Sequence, residues 1–201
     1  MSTFTYEYST TTKLETFEWD NTWIDHANDR ECARVLYIGD SISCGVRKLC
    51  TERSKGKFLF DGFGTSKALD HPVFFESVRL FASQQPRRDL ILFNNGLHGW
   101  HLNDQKEYAA YYERMIQTIR REYPQTTLYL VLTTAVADEA TNLRVNARNA
   151  VALDLARQYA LPTIDLYTVS EQFSFLRATD GVHYTKEGYE KFADCILSTV
   201  S

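Results

Sequence analysis

Five short apolar runs, alternating with segments of helical spacing, constrain this chain more than anything else in it. The runs are Val35–Ile38, Lys57–Phe60, Leu90–Phe93, Leu128–Leu132 and Thr163–Leu166. Each has the length and β-branched or aromatic content of a strand buried on both faces. Between them, Tyr108, Tyr111, Met115, Ile119 and Tyr123 recur at steps of three and four until Pro124 stops the helix. Ala147, Val151 and Leu155 repeat that spacing before Leu161-Pro162. Thr185 is placed to cap a last helix, with Glu187 near its positive end and Phe192, Ile196 and Val200 on one face. Strands alternating with helices predict a parallel sheet covered on both faces through right-handed crossovers. Ligands of such sheets bind beyond the carboxyl ends of the strands. That rim is where Ser41, Asn94-Asn95 and the segment carrying His183 fall.

A chain of 201 residues suits one domain with its own core, here residues 1–201. Residues 1–32 are less regular and read as an extension packed on that domain, in which Trp19 and Trp23, four apart, predict a short helix laid over the sheet. Cys32, Cys44, Cys50 and Cys195 lack C-x-x-C spacing, so idle thiols are expected and no metal site. With a net charge of −4 and no Lys/Arg tract, the chain is not expected to bind nucleic acid. The start, MSTFTYEYSTTTKLE, has no basic-then-apolar signal, and no apolar run approaches the roughly 18 residues of a membrane span. A cytoplasmic protein without a membrane span is the expectation.

Arg34-Val-Leu-Tyr-Ile-Gly39-Asp40-Ser41 reads as a buried strand that breaks into a turn holding a hydroxyl at its tip. Serine is a poor nucleophile near neutral pH and needs a base within about 3 Å, itself oriented by an acid. Of the five histidines, His183 is the best base, because Asp180 three positions earlier can accept its second ring proton and fix the tautomer. His26 lies in the irregular region, His71 precedes Pro72 at a helix start, and His98 and His101 flank Trp100 after the third strand. Taken singly, a Gly-Asp-Ser turn is more often a helix cap and Asp-x-x-His a plain turn. Their joint placement, one after the first strand and the other before the last helix, favours a catalytic set of Ser41, Asp180 and His183.

These residues resemble the SGNH (GDSL-type) esterase and lipase family. Gly39-Asp40-Ser41-Ile42-Ser43 is similar to its first block and Asp180-x-x-His183 to its last, and the likeness spans roughly residues 33–200. The resemblance implies a three-layer α/β/α sandwich on a five-stranded parallel sheet in flavodoxin-like order. It implies hydrolysis of esters through an acyl-enzyme, without a cofactor. It further implies two oxyanion donors, a glycine amide after the second strand and an asparagine after the third. In Asp61-Gly-Phe-Gly64-Thr-Ser66-Lys67 the amide is that of Gly64 or Ser66. In Leu90-Ile-Leu-Phe-Asn94-Asn95-Gly96-Leu97-His98, His98 stands where the family's asparagine would, with Asn95 the other available donor. A neutral imidazole N–H can replace an amide there.

Trp100 offers a flat face to a sugar ring, although a structural tryptophan is the commoner outcome. Thr133-Thr134 and Asn142-Leu143-Arg144 share the rim and either touch substrate or cap a helix beginning near Asp138. The reading is therefore an esterase acting on a small-molecule or carbohydrate ester, short-chain acetyl esters foremost. Its alternatives are a non-catalytic carbohydrate- or partner-binding module on the same fold and an acyltransferase using the same triad. A nucleotide or flavin site is disfavoured, since the first turn lacks the glycine-rich phosphate motifs and its Asp40 would repel phosphate.

Overall fold

The structure, a computed structural model, describes residues 13–201. Most of the segment read for a signal, residues 1–12, lies outside the described residues. Six strands form one sheet: β1 (Asp20–Trp23), β2 (Ala33–Gly39), β3 (Phe58–Thr65), β4 (Leu90–Phe93), β5 (Thr127–Val131) and β6 (Thr163–Ile164). Six helices accompany them: α1 (Ser41–Arg53), α2 (Phe74–Ala82), α3 (Gln105–Glu122), α4 (Glu139–Tyr159), α5 (Leu166–Gln172) and α6 (Lys186–Val200). The spatial order is β1-β3-β2-β4-β5-β6, parallel throughout except for the β1–β3 pair. Without β1, this is the flavodoxin-like order.

The strands are apolar on consecutive positions because both faces are covered. From β2, Leu36 and Ile38 pack with Phe63, Phe74, Ile91, Tyr112 and Ile116 on one side. Val35 and Tyr37 pack with Ile42, Val46, Leu92, Phe192 and Ile196 on the other. Helices α2 and α3, with most of α4, thus cover one face, and α1, α5 and α6 the other. Strand β2 has neighbours on both edges, β3 and β4, reached by connections running in opposite directions. Its carboxyl end is the topological switch point, where such sheets open a crevice.

The structure revises four expectations. Trp19 and Trp23 carry no helix; residues 20–23 form β1, an antiparallel edge strand on β3, so the sheet has six strands and not five. With its outer edge paired, β3 runs on to Thr65, and Asp61–Thr65 is strand where a loop was expected. The fifth parallel run is cut short at Ile164 because Asp165 caps α5, its carboxylate accepting the Thr168 N–H at 2.9 Å. In α4 the buried face is Val145, Arg148, Asn149, Ala152, Leu155 and Ala156, about one position round from the expected stripe.

The N-terminal segment is fastened by a charge with no exposure at all. Arg34 pairs with Asp61 at 2.9 Å and donates to the carbonyls of Asp25, His26 and Asp29. Asp61 also accepts from the Asp25 N–H and from Gln85. A buried ion pair keeps its geometry only when its remaining donors and acceptors are largely matched; here backbone groups and Gln85 match all but the Arg34 Nε. Among the described residues, no helix is long and apolar enough to cross a membrane.

Candidate active site

Strand β2 ends at Gly39, Asp40 caps α1, and Ser41 is the first helical residue. Gly39 is required by close approach, since a Cβ there would lie 2.8 Å from that of Ser43. The Asp40 carboxylate accepts the Ile42 N–H at 2.9 Å, and its carbonyl accepts the Ser43 hydroxyl at 2.6 Å. Burial pushes the Asp40 carboxyl above its ordinary range, opposed by the His98 imidazole, the Ile42 amide and the His183 imidazole. At a first-turn position, the Ser41 N–H has no intrahelical acceptor.

The Ala178–Tyr184 loop is held by backbone bonds: Ala178 N–H to His183 O at 2.7 Å, Gly181 N–H to Ala178 O, and Ala137 N–H to Gly181 O at 2.8 Å. Gly181, at φ +77°, takes the left-handed turn. One Asp180 oxygen accepts the N–H groups of Val182 and His183, both at 2.9 Å, and the other accepts His183 Nδ1–H at 2.8 Å. Those two amides, then the imidazole, hold the Asp180 carboxyl down at about 2. With Nδ1 protonated, His183 Nε2 is left as an acceptor, and it lies 2.8 Å from Ser41 Oγ. Residues 142 positions apart thus meet in the order hydroxyl, imidazole, carboxylate. The imidazole and carboxylate are open to solvent, with side chains 41% and 53% exposed.

The residues expected as oxyanion donors are placed less uniformly. Ser66 donates its N–H to Trp19 O at 3.1 Å. By the two-residue alternation of an antiparallel ladder, Gly64, opposite Asn21, directs its own N–H to β1 as well. Asn94 bonds Val131 O and Thr133 Oγ1, and Asn95 Nδ2 bonds Lys67 O at 3.0 Å. His98 Nδ1 lies 2.9 Å from Glu15 Oε2, and the His98 ring meets Trp19 edge-on at 5.9 Å between centroids. Trp19 in turn reaches over Gly64, beside the Asp40 carbonyl. His98 therefore stands at the serine end of the sheet, while the Asn94 and Asn95 amides tie strands and loops together. Thr133 and Asn142 are likewise engaged within the fold: Thr133 Oγ1 accepts from Asn94 Nδ2, and Asn142 accepts from Val136 N–H. Asp138 does cap α4.

Two site-forming residues escaped the sequence reading. Glu15 bridges His98 Nδ1 and the Gly99 N–H (3.1 Å), and no spacing links it to residues 83 positions away. Arg148 donates to the carbonyls of Gly96, His98, Gly99 and Leu102 and stacks over Tyr108, whose hydroxyl bonds Asn95 O. An arginine among Val145, Asn149 and Ala152 on a helix was the available signal. Trp100 is not a core residue: it is 41% exposed, with Arg144 stacked on its ring at 4.7 Å. A cleft of about 720 Å³ is lined by Glu15, Phe17, Trp19, Trp100 and His101 among others, and the Trp19 ring in its wall meets that of His98.

No family model matches the chain, and no curated protein matches it by sequence. Solved structures do. The acetyl xylan esterase AlAXEase is 19% identical, with 84% of this chain and 100% of that one covered and a TM-score of 0.64. A lipolytic G-D-S-L family protein from Veillonella parvula is 16% identical (84% and 98% covered, TM-score 0.64). Axe2, an acetylxylan esterase from Geobacillus stearothermophilus, is 14% identical (86% and 97% covered, TM-score 0.63). Strand order, switch point and these likenesses agree: the chain has the SGNH hydrolase fold of the GDSL-type lipases and acetyl xylan esterases.

Proposed function

We propose that this protein is a serine esterase in which Ser41, His183 and Asp180 form the catalytic triad. The observation that carries the reading is the 2.8 Å contact between Ser41 Oγ and the unprotonated nitrogen of His183, with Asp180 at the other nitrogen. His183 Nε2 takes the hydroxyl proton as Oγ bonds to the ester carbonyl carbon. The imidazolium that results lies against an acid that remains ionised throughout the neutral range. Negative charge then develops on the carbonyl oxygen, facing the Ser41 N–H and a side-chain donor from the loop after β4. Collapse breaks the bond to the alkoxy group, which leaves with the proton from His183. Water attacks the acyl-enzyme by the reverse path, restoring the hydroxyl and releasing the acid.

Carbohydrate acetyl esters are the substrate class we favour. The cleft beside His98 presents Phe17 and Trp100, exposed rings of the kind that stack on a pyranose, and an open triad suits a small acyl group on a bulky alcohol. The test is hydrolysis of p-nitrophenyl acetate and of acetylated xylo-oligosaccharides. Ser41→Ala and His183→Ala should each lose at least about a thousandfold in kcat, and a fluorophosphonate should label Ser41. Full turnover by Ser41→Ala would end the hydrolase reading.

A further inference from the structure

The short segment after β5, residues 132–137, is bonded to the histidine loop but not to the serine turn. Ala137 N–H donates to Gly181 O at 2.8 Å, and Ala135 O accepts the Tyr184 hydroxyl at 2.9 Å. The loop presenting Asp180 and His183 is thus tied to this segment. The segment's own place is set from α4 and α5: Asn149 accepts the Thr133 N–H and the Ser170 hydroxyl accepts the Ala135 N–H, both at 2.8 Å. Among the described residues, no direct hydrogen bond joins it to Asp40, the cap from which Ser41 starts.

Asp40 and Thr134 nevertheless share a wall. Both line a cavity of about 10 Å³ at the carboxyl ends of β2 and β5, closed in part by the apolar side chains of Ile42 and Leu166. Asp40 is 3% exposed and Thr134 2%. One Asp40 oxygen accepts the Ile42 N–H; the other, Oδ2, is sealed from solvent without a partner, and so is Thr134 Oγ1. Folded proteins leave few buried polar atoms in that condition. A water needs roughly 10–15 Å³ of space and two to four polar partners, so this cavity suits one and no second. The chemistry is complementary. A carboxylate only accepts, a hydroxyl can donate, and a water can do both. Thr133 Oγ1, which accepts from Asn94 Nδ2 at 2.9 Å, is a third polar group on the same wall with its own proton still to give.

We propose that this cavity binds a single water, which donates to Asp40 Oδ2 and accepts from the Thr134 hydroxyl, and that Thr134 acts through it as a positioning residue for the Ser41 turn. The bridge closes a frame: Asp40 to water to Thr134 on one side, Ala135 and Ala137 to the histidine loop on the other. Ser41 and His183 are thereby set against one common segment. This water is distinct from the one that attacks the acyl-enzyme, and it forms and breaks no covalent bond. Its binding stands apart from the esterase reading; the positioning role rests on that reading and deepens it.

Crystal structures of the wild type and of Thr134→Val, at a resolution that orders water, test the site itself. A single peak about 2.8 Å from both Asp40 Oδ2 and Thr134 Oγ1 is expected in the wild type, and its loss in the variant. A wild type with no peak there, or with the two side chains bonded directly, would overturn the assignment. Contacts of about 2.4 Å to the surrounding oxygens would overturn it as well, by making the occupant a metal cation. Rates on p-nitrophenyl acetate test the positioning. Valine keeps the branched shape without the hydroxyl, so Thr134→Val should lower kcat about tenfold with KM within about twofold, and Thr134→Ser should recover most of the loss. A Thr134→Val protein that melts lower but turns over like the wild type would make Thr134 structural only and refute its positioning role. If Ser41→Ala were fully active, the esterase reading would fall while the water peak was judged on its own density. With Ser41→Ala inactive, the Thr134 results bear on this inference alone.

Discussion

Replacing Arg148 with methionine is expected to cost several kcal/mol of stability and to release the His98 ring. The guanidinium donates to four carbonyls of the loop after β4, at 3.1 Å to Gly96, 2.6 Å to His98, 2.7 Å to Gly99 and 3.1 Å to Leu102. Methionine fills a similar volume, so the loss is chiefly hydrogen bonding. If the loop stays in place, four orphaned carbonyls at about 1 kcal/mol each remove about 4 kcal/mol. If the loop lifts away, those carbonyls rehydrate, but Leu97 and Leu102 (4% and 3% exposed) enter water at about 2 kcal/mol each. The two routes cost nearly the same, so the outcome does not depend on which the protein takes. Burial already holds the Arg148 guanidinium below its ordinary range, and removing that desolvated charge returns part of the loss. A net loss of about 3 kcal/mol follows, a large share of the ~5–15 kcal/mol that holds a domain folded. Urea unfolding followed by circular dichroism measures it, and kcat on p-nitrophenyl acetate should fall about a hundredfold as the donor is displaced. Arg148→Lys keeps the charge but cannot span four acceptors, so it should land between. An Arg148→Met protein within about 1 kcal/mol of the wild type, with unchanged kcat, would show that the clamp neither holds the loop nor serves the site.

Three further outcomes are expected. Asp180→Asn should be more damaging than Asp180→Ala in kcat/KM: the Val182 and His183 amides force the new oxygen to their side, which turns the amide NH2 toward Nδ1 and imposes the wrong tautomer, whereas alanine admits water. Equal losses would mean tautomer control is not what the acid supplies. Asp40→Asn keeps the cap on α1 without the buried charge. Because burial raises the Asp40 carboxyl, the native state holds its proton more tightly than the unfolded chain. Wild-type stability should therefore drop as pH rises from about 4 through that raised value, and the variant's advantage should appear above it and vanish in acid, as urea midpoints across pH will show. Gly96→Ala would set a Cβ 1.9 Å from Thr133 Oγ1, so it should cost at least ~2 kcal/mol and recover in part when Thr133→Ala is added.

Much of this architecture was legible because its signals are local. A strand buried on both faces writes a run such as Val35–Ile38, and Asp180 and His183 needed only a three-residue spacing to be paired. The meeting of Ser41 with His183 followed from topology, since one lies after the first parallel strand and the other before the last helix. What failed was whatever depends on a distant partner. Strand β1 was unreadable in Asp20-Asn-Thr-Trp23, four exposed residues whose strand character comes from the free edge of β3. The face of α4 was misjudged because two of its buried positions, Arg148 and Asn149, are polar and work for other segments' backbone. Glu15 could not be found at all, lying 83 positions from the ring it holds.

The two unreadable features on the N-terminal segment bear on one question, how the negative charge on the substrate would be met. By pairing with β3, that segment turns the Gly64 and Ser66 amides toward β1 and away from the serine. If the protein is an esterase, that charge must be met without the Gly64 and Ser66 amides, by the serine N–H and by the loop after β4. Glu15, five residues before β1, ties the His98 ring and the Gly99 N–H of that loop, and Arg148 clamps four of its carbonyls. The edge strand that removes two amides thus belongs to the same segment that fastens the remaining candidate donors, so freeing the loop with Arg148→Met tests the oxyanion site as much as it tests stability.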